Sequence, residues 1–329
     1  MTQNCARAVS PRSIVPTCLA LSAALLAACE APLELDAVNE HAQQAIQRTD
    51  FYQAMAANSE RTLLVGNRGT LLASEDHGQH WQREAVNTNA SFIDIASCPD
   101  NSFVALTFDN HVWHGTDQGW QQHALPSSEQ MMTITCSSEN HWWVAGSFTT
   151  FQHSSDQGLT WHTSSLDEDA IVTNLQFLGS EHAVATAEYG MIITTADSGN
   201  NWQVSGYLPD EFYPHASYFR SPNEGWVGGL NGFIYHTRDG GDSWQRQSTD
   251  TQAPIFNFIH HPQGLFAVGD NATVLALNGQ QWSSLETPSI PLYLRAVAAD
   301  GDTLVAAGGR GLMLRIATSP SATSATNNK

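Results

Sequence analysis

The chain has 329 residues and carries 13 Lys+Arg against 32 Asp+Glu, a formal charge of −19 at pH 7. Its one lysine is the terminal Lys329; phosphate backbones and anionic leaflets repel such a body, which argues against nucleic-acid binding and polybasic membrane attachment. With 41% hydrophobic residues, 24 Gly, 10 Trp and 14% charged residues, the composition fits short strands and tight turns around a large core, not a disordered acidic tail.

Residues 1–28 hold Arg7 and Arg12, no acid, and an apolar run from Ile14 to Ala28 that is too short, and too interrupted by Pro16, to span a bilayer. They read as a secretory signal peptide. Its end, Leu26-Ala27-Ala28-Cys29, resembles the bacterial lipobox, which implies lipidation of Cys29 and a mature chain that begins there. Residues 29–40 then make a tether, 41–317 the folded body, and 318–329 a disordered Ser/Thr/Ala tail. Cys5 and Cys18 leave with the signal, so Cys98 and Cys136 are the cysteines of the body. They lie 17 residues after Trp81 and 16 after Trp120. Such nearly equivalent places in consecutive repeats could bring them together as a disulfide, or leave their Cα atoms too far apart.

Those tryptophans belong to a series, Trp81, Trp120, Trp161, Trp202, Trp244 and Trp282, separated by 39, 41, 41, 42 and 38 residues. A period of about 40 is expected of propellers and solenoids. Four of them close the same phrase, Ser/Thr-x-Asp-x-Gly-x-x-Trp, with Asp76, Asp156, Asp197 and Asp239 ahead of Trp81, Trp161, Trp202 and Trp244. The phrase is degenerate before Trp120 and Trp282. Ahead of each comes an apolar strand, a Gly-rich turn and another apolar strand, of which Leu63 to Leu72 is the template. It returns six times, down to Gly308-Gly309-Arg310-Gly311, with alternating strand residues and glycines that supply the positive φ of a hairpin turn. The pattern predicts an all-β, seven-bladed β-propeller of four-stranded antiparallel blades. The seventh repeat stops after three strands, so a segment within residues 41–49 is predicted to add the fourth strand and close the ring.

The repeated phrase resembles the Asp box (BNR repeat) of sialidase-type propellers. Combined with turns such as Val65-Gly66-Asn67-Arg68-Gly69 and with Asn223-Glu224-Gly225-Trp226-Val227-Gly228-Gly229, it resembles the photosystem II assembly and stability factors, seven-bladed propellers with lipoprotein relatives in bacteria. That resemblance covers about residues 50 to 316 and implies a non-catalytic scaffold or assembly factor that binds a membrane or periplasmic protein. The Asp-box likeness implies the alternative, a sialidase-like or glucan-acting glycoside hydrolase of the envelope. Phe219-Arg220-Ser221-Pro222 mimics a sialidase phrase but sits in blade five, where the template places an ordinary turn.

Topology sorts the remaining candidates. Asp-box turns share one face of the disc, and their aspartates and tryptophans are read as structural. Glycine turns share the other face with the connections between blades. Arg68 and Arg310 take the same turn position in blades one and seven, Tyr189 and Asn231 take it in blades four and five, and Arg295 starts the inner strand of blade seven. With Phe212 and Tyr213 these are the candidate partner-binding residues, and the arginines suit a carboxylate or an acidic segment. From Glu84 to Glu211 there are sixteen acids and no Lys or Arg, an acidic arc over blades two to four. No catalytic residue, metal site or cofactor is expected. The expected state is a monomer, lipid-anchored at the periplasmic face of the outer membrane.

Overall fold

The computed structural model describes residues 34–301 and 303–318. The signal peptide, Cys29 and the tail beyond Thr318 lie outside the described residues; Thr318 itself is buried rather than part of a disordered tail. Among the described residues, 34–44 form a unit of their own. In it Asp36–Ala42 is a seven-residue helix, α1, so the expected tether is helical from Asp36. An aspartate in the first turn, alanines and the absence of Gly or Pro favour that conformation.

From Ala45 onward, rather than from residue 41, the chain makes seven antiparallel sheets. Blade one gives the plan: Tyr52–Ala57, Thr62–Gly66, Leu71–Ser74 and Gln82–Arg83 each pair with the next. The innermost strands, Tyr52–Ala57, Phe92–Ser97, Met131–Cys136, Val172–Leu178, Pro214–Phe219, Ile255–His261 and Leu294–Asp300, succeed one another around an axis, and the last meets the first. Second strands such as Thr62–Gly66 and Trp142–Gly146 are buried at every residue. Both of their faces are covered by neighbouring blades, so they read as continuous apolar runs instead of the alternation expected. Cohesion lies between blades: Tyr52, Leu64, Leu72 and Trp81 of blade one pack against Ala296, Val305 and Ala307 of blade seven. Cys98 and Cys136, at the far ends of the inner strands of blades two and three, are joined as a disulfide with Cα atoms 5.2 Å apart.

Blade seven has three strands among the described residues, Leu294–Asp300, Thr303–Gly308 and Met313–Ala317. The fourth strand expected from residues 41–49 does not form. Asp50 explains why: its carboxylate accepts the Gln47 N–H at 2.9 Å while its own N–H donates to the Gln47 carbonyl at 3.0 Å, which folds residues 47–50 into a turn. N-terminal residues close the ring as a strap. Gly311 N–H donates to the Asp50 carbonyl at 2.9 Å, and Ala45 and Ile46 pack on the core between blades seven and one.

Two local devices then shape the face that carries the glycine turns, the upper face hereafter. The first is a two-residue turn. In blade one Arg68 and Gly69 have φ of 52° and 68°, as a type I′ turn requires, and Thr70 N–H closes it on the Asn67 carbonyl at 3.0 Å. The second is a bulge after the first residue of every inner strand, which turns out one side chain per blade: Gln53, Ile93, Met132, Thr173, His215, Phe256 and Arg295. In five blades the residue opposite is Gly66, Gly146, Gly229, Gly269 or Gly308, where a Cβ would collide with the carbonyl oxygen of the residue preceding the strand.

Candidate functional site

Four of the seven bulged side chains build a continuous surface at the upper mouth of the ring. Tyr213, one residue before the inner strand of blade five, meets His215 with ring centroids 5.3 Å apart. His215 meets Phe256 at 5.5 Å, and Phe256 meets Tyr293 edge-on at 6.4 Å. Gln53 Nε2 donates to the Tyr293 hydroxyl at 3.3 Å and carries the chain of contacts back to blade one. Arg295 stands exposed among them and, among the described residues, makes no ion pair or side-chain hydrogen bond. Its charge reaches several groups. Burial, and then Arg295, hold the His215 imidazole below its ordinary range; burial raises the hydroxyls of Tyr213 and Tyr293, which Arg295 opposes. Burial also raises the Asp94 carboxyl of blade two against its hydrogen bonds to Ile134, Thr133 and Ile95 and against Arg295. A guanidinium without an ion pair keeps its planar fork of donors available to a carboxylate.

Arg68 and Arg310 occupy the αL position of their turns, with φ of 52° and 56°. Both turns hold the strap, since Arg68 donates to the Thr49 carbonyl at 3.5 Å and Gly311 to that of Asp50. The same position holds Phe148, Tyr189 and Asn231, with φ of 54°, 60° and 57°. Asparagine tolerates this conformation, whereas Phe, Tyr and Arg adopt it at a cost, of order 1 kcal/mol each or more. Tyr189 and Tyr213 are exposed at 55% and 38%. Phe212 is not a surface anchor: it is 9% exposed and packs against Phe233 and Tyr235, because its turn directs the ring into the core between blades four and five.

Exposed apolar side chains are distributed unequally. Of eight large exposed hydrophobics in the propeller, Phe51, Phe108, Phe148, Tyr189, Tyr207, Tyr213 and Leu230 belong to the upper turns, strand ends and connections, and Leu159 alone to the opposite side. There the repeated aspartates serve their own turns. Asp76 accepts the N–H groups of Gln79 and His80 at 3.1 and 2.8 Å and the Ser74 hydroxyl at 2.8 Å. Asp156 and Asp239 are held down to about 2 by the side chains and N–H groups of Thr160 and Ser243. Arg220, in the sialidase-like phrase, pairs with Glu224 at 3.0 Å and covers the Trp226 ring. No cluster of metal-ligating side chains occurs among the described residues.

His215, Phe256, Tyr293, Gln53 and Phe148 were not singled out from sequence. The available signal was positional: once the forty-residue repeats are aligned, they share columns with Arg295, Tyr213 and Tyr189.

Stability should be sensitive to mild acid. His114, His153, His215 and His236 all lie below the ordinary imidazole value, chiefly through burial. The unfolded chain therefore takes up more protons as pH drops below about 6.5, so this stability is complete above that pH and drains beneath it. Asp94, raised by burial, works in the opposite direction, and the depressed Asp76, Asp156, Asp197 and Asp239 lose their contribution only below the carboxylate range. Thermal melts should give a lower Tm at pH 5.5 than at pH 7.5; equal values would show that the histidines do not govern this range.

A family model described as photosynthesis system II assembly factor YCF48 matches residues 112–213. Among curated proteins the chain is 32% identical over 231 residues to the photosystem II assembly lipoprotein Ycf48 of a Synechococcus species, covering 68% of this chain and 57% of that one. It is 30% identical over 233 residues to that of Parasynechococcus marenigrum, again 68% and 57%, and 26% identical over 154 residues to that of another Synechococcus, 45% and 45%. The chain thus spans about half the length of the curated relatives it matches. A solved structure of YCF48 bound to D1 peptide superposes with a TM-score of 0.67 at 17% identity, over 82% of this chain and 93% of that one. Virginiamycin B lyase from Staphylococcus aureus superposes with a TM-score of 0.73 at 11% identity, over 82% and 96%. At these identities the likeness of the solved structures is one of fold. Blades on a forty-residue period, the matching family model and these relatives agree that the chain is a seven-bladed β-propeller similar to the photosystem II assembly factors.

Proposed function

We propose that the protein is a non-catalytic scaffold or assembly factor of a bacterial envelope, held by lipid at Cys29 on the periplasmic face of the outer membrane and acting as a monomer without a cofactor. It holds an extended segment of a membrane or periplasmic client on the upper face. The observation that carries this reading is the concentration of exposed apolar side chains on that one face, together with Arg295, which makes no ion pair among the described residues. An acidic side chain or a terminal carboxylate of the client binds at Arg295, between His215 and Tyr293, with Arg68 and Arg310 adding positive charge at the strap. The similar solved structure of YCF48 bound to D1 peptide supports a protein as the ligand class.

Crosslinking followed by pull-down from the native envelope tests the reading. Arg295→Glu, checked for an unchanged melting curve, is expected to lose at least tenfold of one specific client, because an uncompensated carboxylate replaces the charge the client pairs with. Recovery of the same client in the same amount would remove Arg295 from the function.

A further inference from the structure

A second sector of the upper face has the opposite character. Its parts are contiguous from blade three to blade five. Thr149 N–H donates to the Ala170 carbonyl at 2.9 Å, Glu188 N–H to that of Ile171 at 3.0 Å, and Leu208 N–H to that of Gly190 at 2.7 Å. These bonds place the Phe148 turn, the Asp167-Glu168-Asp169 connection, the Tyr189 turn and the Asp210-Glu211 connection in one row. Phe148 and Tyr189 are 50% and 55% exposed, at positions where the backbone displays them outward with positive φ. Glu168, Asp169, Asp210 and Glu211 are exposed between them and make no ion pair among the described residues. The three arginine ion pairs that are described, Arg61–Glu84, Arg83–Asp50 and Arg220–Glu224, lie on other parts of the molecule. With no Lys or Arg between Arg83 and Arg220 in sequence, blades two to four supply no basic side chain to this row; Arg246 of blade five, over the Phe233 ring, acts with Asp210 on Tyr235 at the row's end but forms no ion pair among the described residues.

We infer that this row is a docking surface for a basic amphipathic segment of a partner protein, one that alternates Lys or Arg with large apolar side chains. Charge complementarity selects the occupant. Aromatic rings offer flat apolar contacts at low entropic cost, and the carboxylates between them accept from ammonium or guanidinium groups while excluding acidic segments. An anionic lipid surface would be repelled by the same carboxylates. The inference rests on the upper face being a protein-binding surface, but it uses none of the residues around Arg295.

The test is fluorescence anisotropy on the purified protein with three labelled peptides of equal length: alternating Lys/Leu, Lys/Ser and Glu/Leu. The Lys/Leu peptide is expected to bind at least tenfold more tightly than Lys/Ser at 0.15 M salt. Phe148→Ala/Tyr189→Ala should weaken it at least tenfold, as should Glu168→Gln/Asp169→Asn/Asp210→Asn/Glu211→Gln, whereas Leu159→Ala on the opposite side should not change it. Equal affinity for Lys/Ser would mean diffuse attraction to an acidic protein and would overturn the inference, as would an unchanged Phe148/Tyr189 variant. Binding of the protein to anionic vesicles through Phe148 and Tyr189 would replace it with a membrane contact. The Glu/Leu peptide reports on the Arg295 mouth, so its failure to bind counts against the proposed function and leaves this sector untouched.

Discussion

Asp50→Ala should destabilise the propeller by about 3 kcal/mol and do so by opening the ring. Asp50 is 1% exposed, and its Oδ2 accepts from Arg83 at 2.6 Å, Tyr52 Oη at 3.1 Å and Gln47 N–H at 2.9 Å. Removing the carboxylate takes the acceptor from the Tyr52 hydroxyl and one N–H and the counter-charge from Arg83, whose guanidinium keeps the Ala45 carbonyl and the Thr70 hydroxyl, in a largely closed space where each lost partner costs about 1–3 kcal/mol. Partial exposure of Arg83 lets water recover some of this, which sets the figure at the low end for a broken buried pair. The damage has a direction as well as a size. Asp50 lies in the strap between the turns of blades one and seven, and its carbonyl receives the Gly311 N–H. Hydrogen exchange should therefore rise first at Met313–Ala317 and Thr62–Gly66, with blades three to five still protected. A uniform loss of protection, or a Tm within 1 °C of the parent, would mean that the strap does not close the ring.

This closure marks the limit of what the sequence disclosed. Seven blades, their order and their polarity follow from spacing alone, because tryptophans at a forty-residue period and a repeated turn phrase leave few architectures that bury them all. The missing fourth strand of blade seven was legible as a deficit; how the chain makes it good was not. A count of strands cannot anticipate that Asp50 captures the Gln47 N–H and turns the segment, since that choice depends on Arg83, 33 residues away, being placed to hold the carboxylate. Tertiary context overrides local pattern there.

The site divides in the same way. Arg68, Arg310 and Tyr189 could be picked out because the turn motif numbers them, and the structure places all three in the αL position of equivalent turns. Phe212 was misplaced because an aromatic pair in a loop, Phe212-Tyr213, does not say which ring faces out; the backbone turns one into the core between blades and leaves the other at the mouth. His215, Phe256 and Tyr293 were missed because what joins them is a bulge, and a bulge shows in sequence only as a glycine on the partner strand. Gly229, Gly269 and Gly308 were read as parts of turns, although each also makes room for the carbonyl that the bulge pushes across. Ala187 shows that the room is conditional: it fills the equivalent place in blade four with φ −137° and ψ 170°, where Gly308 uses φ −165° and ψ −135°.

The disulfide supplies the other large effect. Cys98 and Cys136 enclose a loop separated by 38 residues in sequence, close to one full repeat, so the bond ties the inner strand of blade two to that of blade three. Closing a loop of that length in the unfolded chain removes conformational entropy equivalent to about 4 kcal/mol, and the loss should appear whole because blades two and three already pack through Val104, Val112, Ile134 and Trp142 without it. For a domain of this size that corresponds to a Tm lower by roughly 6–8 °C. Cys98→Ser/Cys136→Ser should show this drop, and the parent protein should fall to the same Tm in a thiol reductant while the double variant does not respond. The packing that survives predicts that the variant still folds and still binds through the upper face, since both sulfurs sit at the far ends of their strands from it. A parent protein indifferent to reductant would mean the thiols are not bonded in solution. A variant that cannot fold would mean the bond directs the assembly of blades two and three rather than holding them once assembled.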